Sequence, residues 1–173
     1  VAAAQQSVAL NVGVLTLRPE DTRPVGDVLF EDLNYHAFDL RDLNLVSTVK
    51  NQGSGNFGGN CWAFASLSSI ESCWKYNLVQ LNDSDLSEQN MASCHGYGWG
   101  FGQGGNEYFP MAYLTSLKGP VSESDVPYNT EDTNTYKCKT GEKVVAYFTE
   151  ARWIYGNPVL TKKMIMDYGT VAS

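Results

Sequence analysis

Histidine is nearly absent: the 173 residues contain two, His36 and His95. Four cysteines are present, Cys61, Cys73, Cys94 and Cys138, and none forms a Cys-x-x-Cys pair. Dithiol redox chemistry needs a second thiol at close spacing, which excludes a thioredoxin-like role. Zinc binding is excluded on similar grounds, because the adjacent Cys94 and His95 have no second cysteine or histidine pair at a zinc-like interval. No metal and no other cofactor is expected. Basic residues are also short, 12 against 19 acidic, for a formal charge of −7, so general attraction to nucleic acid or to an anionic membrane surface is not expected either. No run approaches the roughly 18 to 20 apolar residues that span a bilayer. The start Val1-Ala-Ala-Ala is too short for a signal peptide, though it fits the scar left by removing one. Internal repeats and low-complexity tracts are missing.

What remains is a chain long enough for one domain with a real core, rich in aromatics and glycine in the manner of loop-rich secreted proteins. If all four cysteines are oxidised, three complete pairings are open, and nothing forces all four to pair. Residues 1–34 read as an irregular leader, since Pro19 and Pro24 break any helix there. From Asn60, a good N-cap residue, Ala63, Phe64, Leu67, Ile70 and Trp74 recur three or four apart, which predicts a helix over 61–76. A short helix follows from Ser87, whose side chain can cap it. Residues 96–105 are six-tenths glycine and read as a surface loop. A third helix over 107–117 ends at Lys118-Gly119-Pro120, residues 144–148 are the best strand candidate, and 160–167 form a last helix.

One cysteine has a setting that suits chemistry. Cys61 lies between the glycine-rich stretch 53–59 and the first turn of the strongest predicted helix. The free N–H groups of a helix start carry partial positive charge and favour thiolate over thiol, more so beside an imidazolium. Glycines next to it let an extended substrate come close. Free cysteine is also among the most buried residue types, so spacing alone leaves a plain core thiol open.

Asn51-Gln-Gly-Ser with Cys61-Trp-Ala-Phe-Ala, then Leu86-Ser-Glu-Gln-Asn-Met-Ala-Ser-Cys94, Gly104-Gly105, Val126-Pro-Tyr128 and Tyr168-Gly-Thr-Val171, stand in an order that resembles the papain-like cysteine peptidases. The first two segments are similar to the family's active-site segment, and the stretch from Leu86 to Cys94 is similar to a second family block. The resemblance implies an α+β papain-like fold. Its mainly helical left half would have the central helix starting at the nucleophile, followed by the beginning of a β-rich right half. The peptidase domain would occupy residues 35–173 and be incomplete at its C-terminus. Cys61 would attack the peptide carbonyl, Gln52 would donate a side-chain N–H to the oxyanion, and Gly104 and Gly105 would offer backbone bonds to a peptide or protein substrate. Trp62 would pack beneath the site. Cys94 and Cys138 match positions that bond to each other in the family, which implies a disulfide and a secreted, lysosome-like or periplasmic compartment. Cys73 is then a free core thiol.

Three departures accompany the match. Eight residues separate Gln52 from Cys61, a longer interval than the family usually has, so the loop must bulge to keep both oxyanion donors together. Gly58 and Gly102 stand where the family carries a disulfide, which implies a looser active-site loop. The family's catalytic histidine and the asparagine that orients it lie roughly 130 to 150 residues beyond the cysteine. That places both past Ser173 or on a second chain, and His36 and His95 read as surface or loop histidines. A non-catalytic papain-like module that binds peptide or inhibits a partner is the alternative. Residues 1–34 as a pro-segment occupying the cleft would make the chain a zymogen.

Overall fold

The computed structural model describes residues 37–53, 59–77, 84–129, 137–149, 151 and 158–172. The expectations for residues 1–34, for His36, and for Gly58 with the bulge over 54–58 lie outside these.

Among the described residues four helices follow in order: α1 Cys61–Asn77, α2 Glu88–Cys94, α3 Tyr108–Thr115 and α4 Pro158–Tyr168. The central helix α1 buries Ala63, Leu67 and Trp74 against Leu86, Met91 and Ala92 around α2, Tyr113 and Leu114 of α3, and Ala146 and Phe148. It also buries polar residues. Ser72 Oγ accepts from the Ser47 N–H at 2.9 Å, and Glu71 Oε1 accepts from the Leu86 N–H at 2.8 Å. A helix enclosed on several sides satisfies such groups through neighbouring chain, as buried polar atoms require.

Ser87 caps α2 as its position predicts, with Oγ accepting from the Asn90 N–H at 2.9 Å. After the Ser116 C-cap of α3, Leu117 takes the left-handed conformation at φ 61 and the chain turns into Gly119-Pro120. The end of α4 docks on α1: Tyr76 Oη donates to Met166 O at 2.7 Å, and Thr170 Oγ1 donates to Ser69 O at 2.6 Å. Leu160 and Met164 form a small second core with Val159, Tyr168 and Val171.

Residues 144–148 depart from the strand expectation. Among the described residues Val144 makes only an isolated antiparallel bridge, to Val121, alongside a 2.8 Å bond from Val145 N to Pro120 O. Side chains alternate nevertheless, with Ala146 and Phe148 buried and Tyr147 exposed. The alternating apolar pattern follows from burial against the helices, with Phe148 stacked on Trp74 at 6.5 Å.

Candidate active site

Cys61 is the first residue of α1 and is exposed with a free thiol. The side chains on either side of it are buried. Trp62 lies edge-on to Phe109 and His95, at 5.3 and 5.6 Å, and Asn60 is 1% exposed. The helix start is thus fixed in the core while the thiol faces out.

The glycine loop packs on this start. A Cβ on Gly59 would stand 2.1 Å from Gly102 O and 2.5 Å from Gly104 N, so backbone meets backbone there. A Cβ on Gly105 would fall 2.4 Å from Trp62 Nε1. Trp62 therefore sits under the loop and sets its height. Gly105→Ala forces the indole aside and costs about 1 to 3 kcal/mol by overpacking, read as a lowered midpoint in thermal unfolding. A midpoint equal to wild type contradicts this contact.

Asn60, read as an N-cap, turns its carboxamide outward from the helix. Oδ1 accepts from the Gly102 N–H at 3.0 Å and Nδ2 donates to Tyr128 Oη at 3.0 Å. Tyr128 Oη in turn donates to the backbone carbonyl of Gln52 at 3.1 Å. Gln52, Asn60, Gly102 and Tyr128 thereby meet around the start of α1. Nothing in their spacing marks Asn60 and Tyr128 as partners, and the capping preference of asparagine points elsewhere.

His95 corrects the surface reading. It is 5% exposed, its ring lies parallel to Phe109 at 4.7 Å, and Nδ1 accepts from the Tyr97 N–H at 3.2 Å. Burial pushes its pKa below the usual imidazole range. Cys73 is half-buried, with Sγ donating to Thr170 O at 3.3 Å, and burial pushes its thiol pKa up. That leaves it a poor nucleophile. A disulfide joins Cys94 to Cys138.

Beside the site, a cavity of about 550 Å³ is lined by Lys50, Glu71, Asp85, Glu88, Phe64 and Tyr128 among others. Lys50 Nζ lies 3.0 Å from Glu71, 2.7 Å from Asp85 and 2.8 Å from Glu88. Burial opposes its charge, but the hydrogen bonds of Asp85 and Glu88 and the charges of Glu88 and Glu71 outweigh it and raise the lysine pKa. One ammonium cannot balance three carboxylates. Glu88, buried in this cluster, is pushed up to about 7 by desolvation, and desolvation raises Glu71 and Glu123 as well.

These carboxyls favour the folded state when protonated. Glu88 adds stability that is fully present below its ordinary pKa of 4.5 and is lost as pH rises through about 7. His95, depressed by burial, acts the opposite way on acidification. Because three carboxyls oppose one imidazole, the unfolding midpoint is expected to rise by roughly 4 °C or more from about pH 8 to about pH 5.5. Calorimetry across that range checks it. Glu88→Gln, which mimics the protonated carboxyl, should flatten the rise, and a midpoint that falls instead contradicts the assignment.

The profile of the papain family cysteine proteases matches residues 35–172. A viral cathepsin of Autographa californica nuclear polyhedrosis virus is 40% identical over 97 residues, covering 56% of this chain and 28% of the cathepsin. Among solved structures, a digestive procathepsin L2 proteinase from Tenebrio molitor larval midgut has a TM-score of 0.57 and 33% identity over 68% of this chain and 36% of that one. The bromelain protease from Ananas comosus, in complex with the E64 inhibitor, has a TM-score of 0.50 and 37% identity over 65% of this chain and 48% of that one. The chain thus spans between about a quarter and a half of the length of these relatives. Among the described residues no helix is long and apolar enough to cross a membrane.

Proposed function

The chain belongs to the papain family of cysteine proteases, and from that premise we propose that the protein is a cysteine peptidase whose nucleophile is Cys61. The observation that carries this reading is an exposed thiol on the first residue of α1, while Trp62 and Asn60 on either side are buried against the glycine loop. A reactive group is held by rigid neighbours and left open to solvent.

In the reaction, the Cys61 thiolate adds to the carbonyl carbon of a peptide, forming a C–S bond and placing the carbonyl electron pair on oxygen. That oxyanion takes hydrogen bonds from the Gln52 side chain and from the backbone N–H of Cys61. Collapse expels the amine and leaves a thioester, which water converts to a carboxylic acid with return of the thiol. Gly104 and Gly105 bond the extended substrate through their backbone. An imidazole must take the thiol proton and return it to the leaving amine. His95 is unsuited, stacked on Phe109 with Nδ1 already accepting a hydrogen bond, so no imidazole among the described residues serves, and the family resemblance implies a base beyond the matched residues. A separate chain supplying it has no support from the relatives, each of which is longer than the part it shares with this chain. The Cys94–Cys138 disulfide favours an oxidising compartment.

Incubation of blocked peptides with the purified whole protein, in a form that carries the base, followed by mass spectrometry of the products, tests the proposal. Cleavage at an internal bond, lost on alkylation of Cys61, is expected. Peptide retained intact on the protein would favour the non-catalytic binding module.

A further inference from the structure

We infer that Asn60 is a positioning residue, whose carboxamide acts with the Tyr128 hydroxyl to clasp the start of α1, the 102–105 loop and the Gln52 segment into one unit. The inference rests on the reading of Cys61 as nucleophile and of Gln52 as oxyanion donor.

Three observations converge on it. First, Asn60 is 1% exposed, and its amide holds both neighbouring segments: Oδ1 takes the Gly102 N–H at 3.0 Å and Nδ2 reaches Tyr128 Oη at 3.0 Å. An asparagine just before a helix ordinarily turns its oxygen to the helix's own N–H groups. This one bridges separate parts of the chain instead.

Second, the chain of bonds ends at the site. Tyr128 Oη donates to Gln52 O at 3.1 Å, and its ring lies edge-on to Phe64 of α1 at 4.9 Å and 5.9 Å from Phe101 in the glycine loop. The phenol is therefore packed by the same two segments that its hydroxyl network joins. Third, the Gly59 backbone has no room for a Cβ against Gly102 and Gly104, so the amide bond from Asn60 lies at a seam already at closest approach. Among the described residues, the one disulfide joins Cys94 to Cys138 and does not cross this seam.

A buried amide with both ends paired resists rotation, because turning it would leave a buried donor and acceptor unmatched. Cys61 follows Asn60 directly, and Gly104 and Gly105 lie two and three residues after Gly102. Sliding of the glycine loop past α1 would break the Asn60–Gly102 bond before substrate and thiol lost alignment. A misplacement of about 1 Å costs on the order of 100-fold in rate, so a clasp of this kind has a kinetic signature.

The experiment compares wild type, Asn60→Ala and Tyr128→Phe by the rate of Cys61 alkylation with a peptidyl epoxide, which uses the substrate loop, and with iodoacetamide, which does not. Amide hydrogen exchange at Gly102 is followed in parallel. Asn60→Ala is expected to slow the epoxide about 10- to 100-fold while the iodoacetamide rate changes less than about threefold, with faster exchange at Gly102. Tyr128→Phe keeps the ring packing and loses only the hydroxyl. It should slow the epoxide in the same selective way, and it carries the test if the alanine variant fails to fold. An unchanged epoxide rate in both variants, with wild type labelled rapidly, overturns the clasp and leaves the nucleophile standing. Parallel loss of both rates also overturns it, as general loosening. If wild type itself shows no preference for the peptidyl reagent, the reading of Cys61 fails and the positioning role with it, even where Gly102 exchange responds.

Discussion

Cys61→Ala is expected to abolish peptide hydrolysis, lowering kcat by on the order of 10⁴- to 10⁶-fold, the range seen when a covalent nucleophile is removed. The size follows from the chemistry. Without the thiolate no acyl-enzyme forms, and what survives is the polarisation that the oxyanion donors can offer to direct attack by water. The thiol is exposed on the first residue of α1. Its loss should therefore move stability by no more than about 0.5 kcal/mol, as for other surface changes. Unchanged thermal unfolding beside lost turnover separates a chemical role from a folding role. Cys73→Ala offers the contrast: it removes the bond to Thr170 on a half-buried face of α1 and should lower stability while leaving turnover in place. Hydrolysis persisting in Cys61→Ala would remove the proposed mechanism.

Gln52→Ala is expected to reduce kcat by about 100- to 1000-fold, the usual cost of deleting one oxyanion donor, with little change in KM. The contact that Gln52 makes with Tyr128 uses its backbone carbonyl, which the substitution keeps. The variant thus probes the side-chain N–H without releasing the segment from the Asn60 clasp. Steady-state kinetics with a fluorogenic peptide supply the test. A loss below about fivefold would mean that the long interval from Gln52 to Cys61 carries the amide away from the oxyanion, and that the backbone N–H acts with some other donor.

Much of this was legible because helix signals are local. The spacing of Ala63, Leu67 and Trp74 predicted α1, and Ser87 announced α2 through the bond it makes three residues on. The motif around Cys61 placed the thiol at a helix start, and the structure leaves it exposed there. Non-local pairings were harder to see. Residues 144–148 carry the alternation of a strand, but among the described residues the pairing is limited to the Val121–Val144 bridge. His95 looked like a loop residue from its neighbours in sequence, whereas Phe109, Tyr97 and Trp62 enclose it from three places in the chain. Asn60 misled through its capping preference, since a carboxamide serves the strongest partners within reach, and here those lie in Gly102 and Tyr128. Glu71 and Glu88 are far from Lys50 in sequence, and the fold draws both carboxylates to its one ammonium.

Of the two free thiols one is the proposed reactive centre, and site-resolved mass spectrometry distinguishes them. The protein is treated with a limiting amount of a peptidyl epoxide, digested, and the adduct located. Modification is expected at Cys61, which is exposed at the helix start, and not at Cys73, which is half-buried and bonded to Thr170. An adduct on Cys73, or none on Cys61, would contradict it.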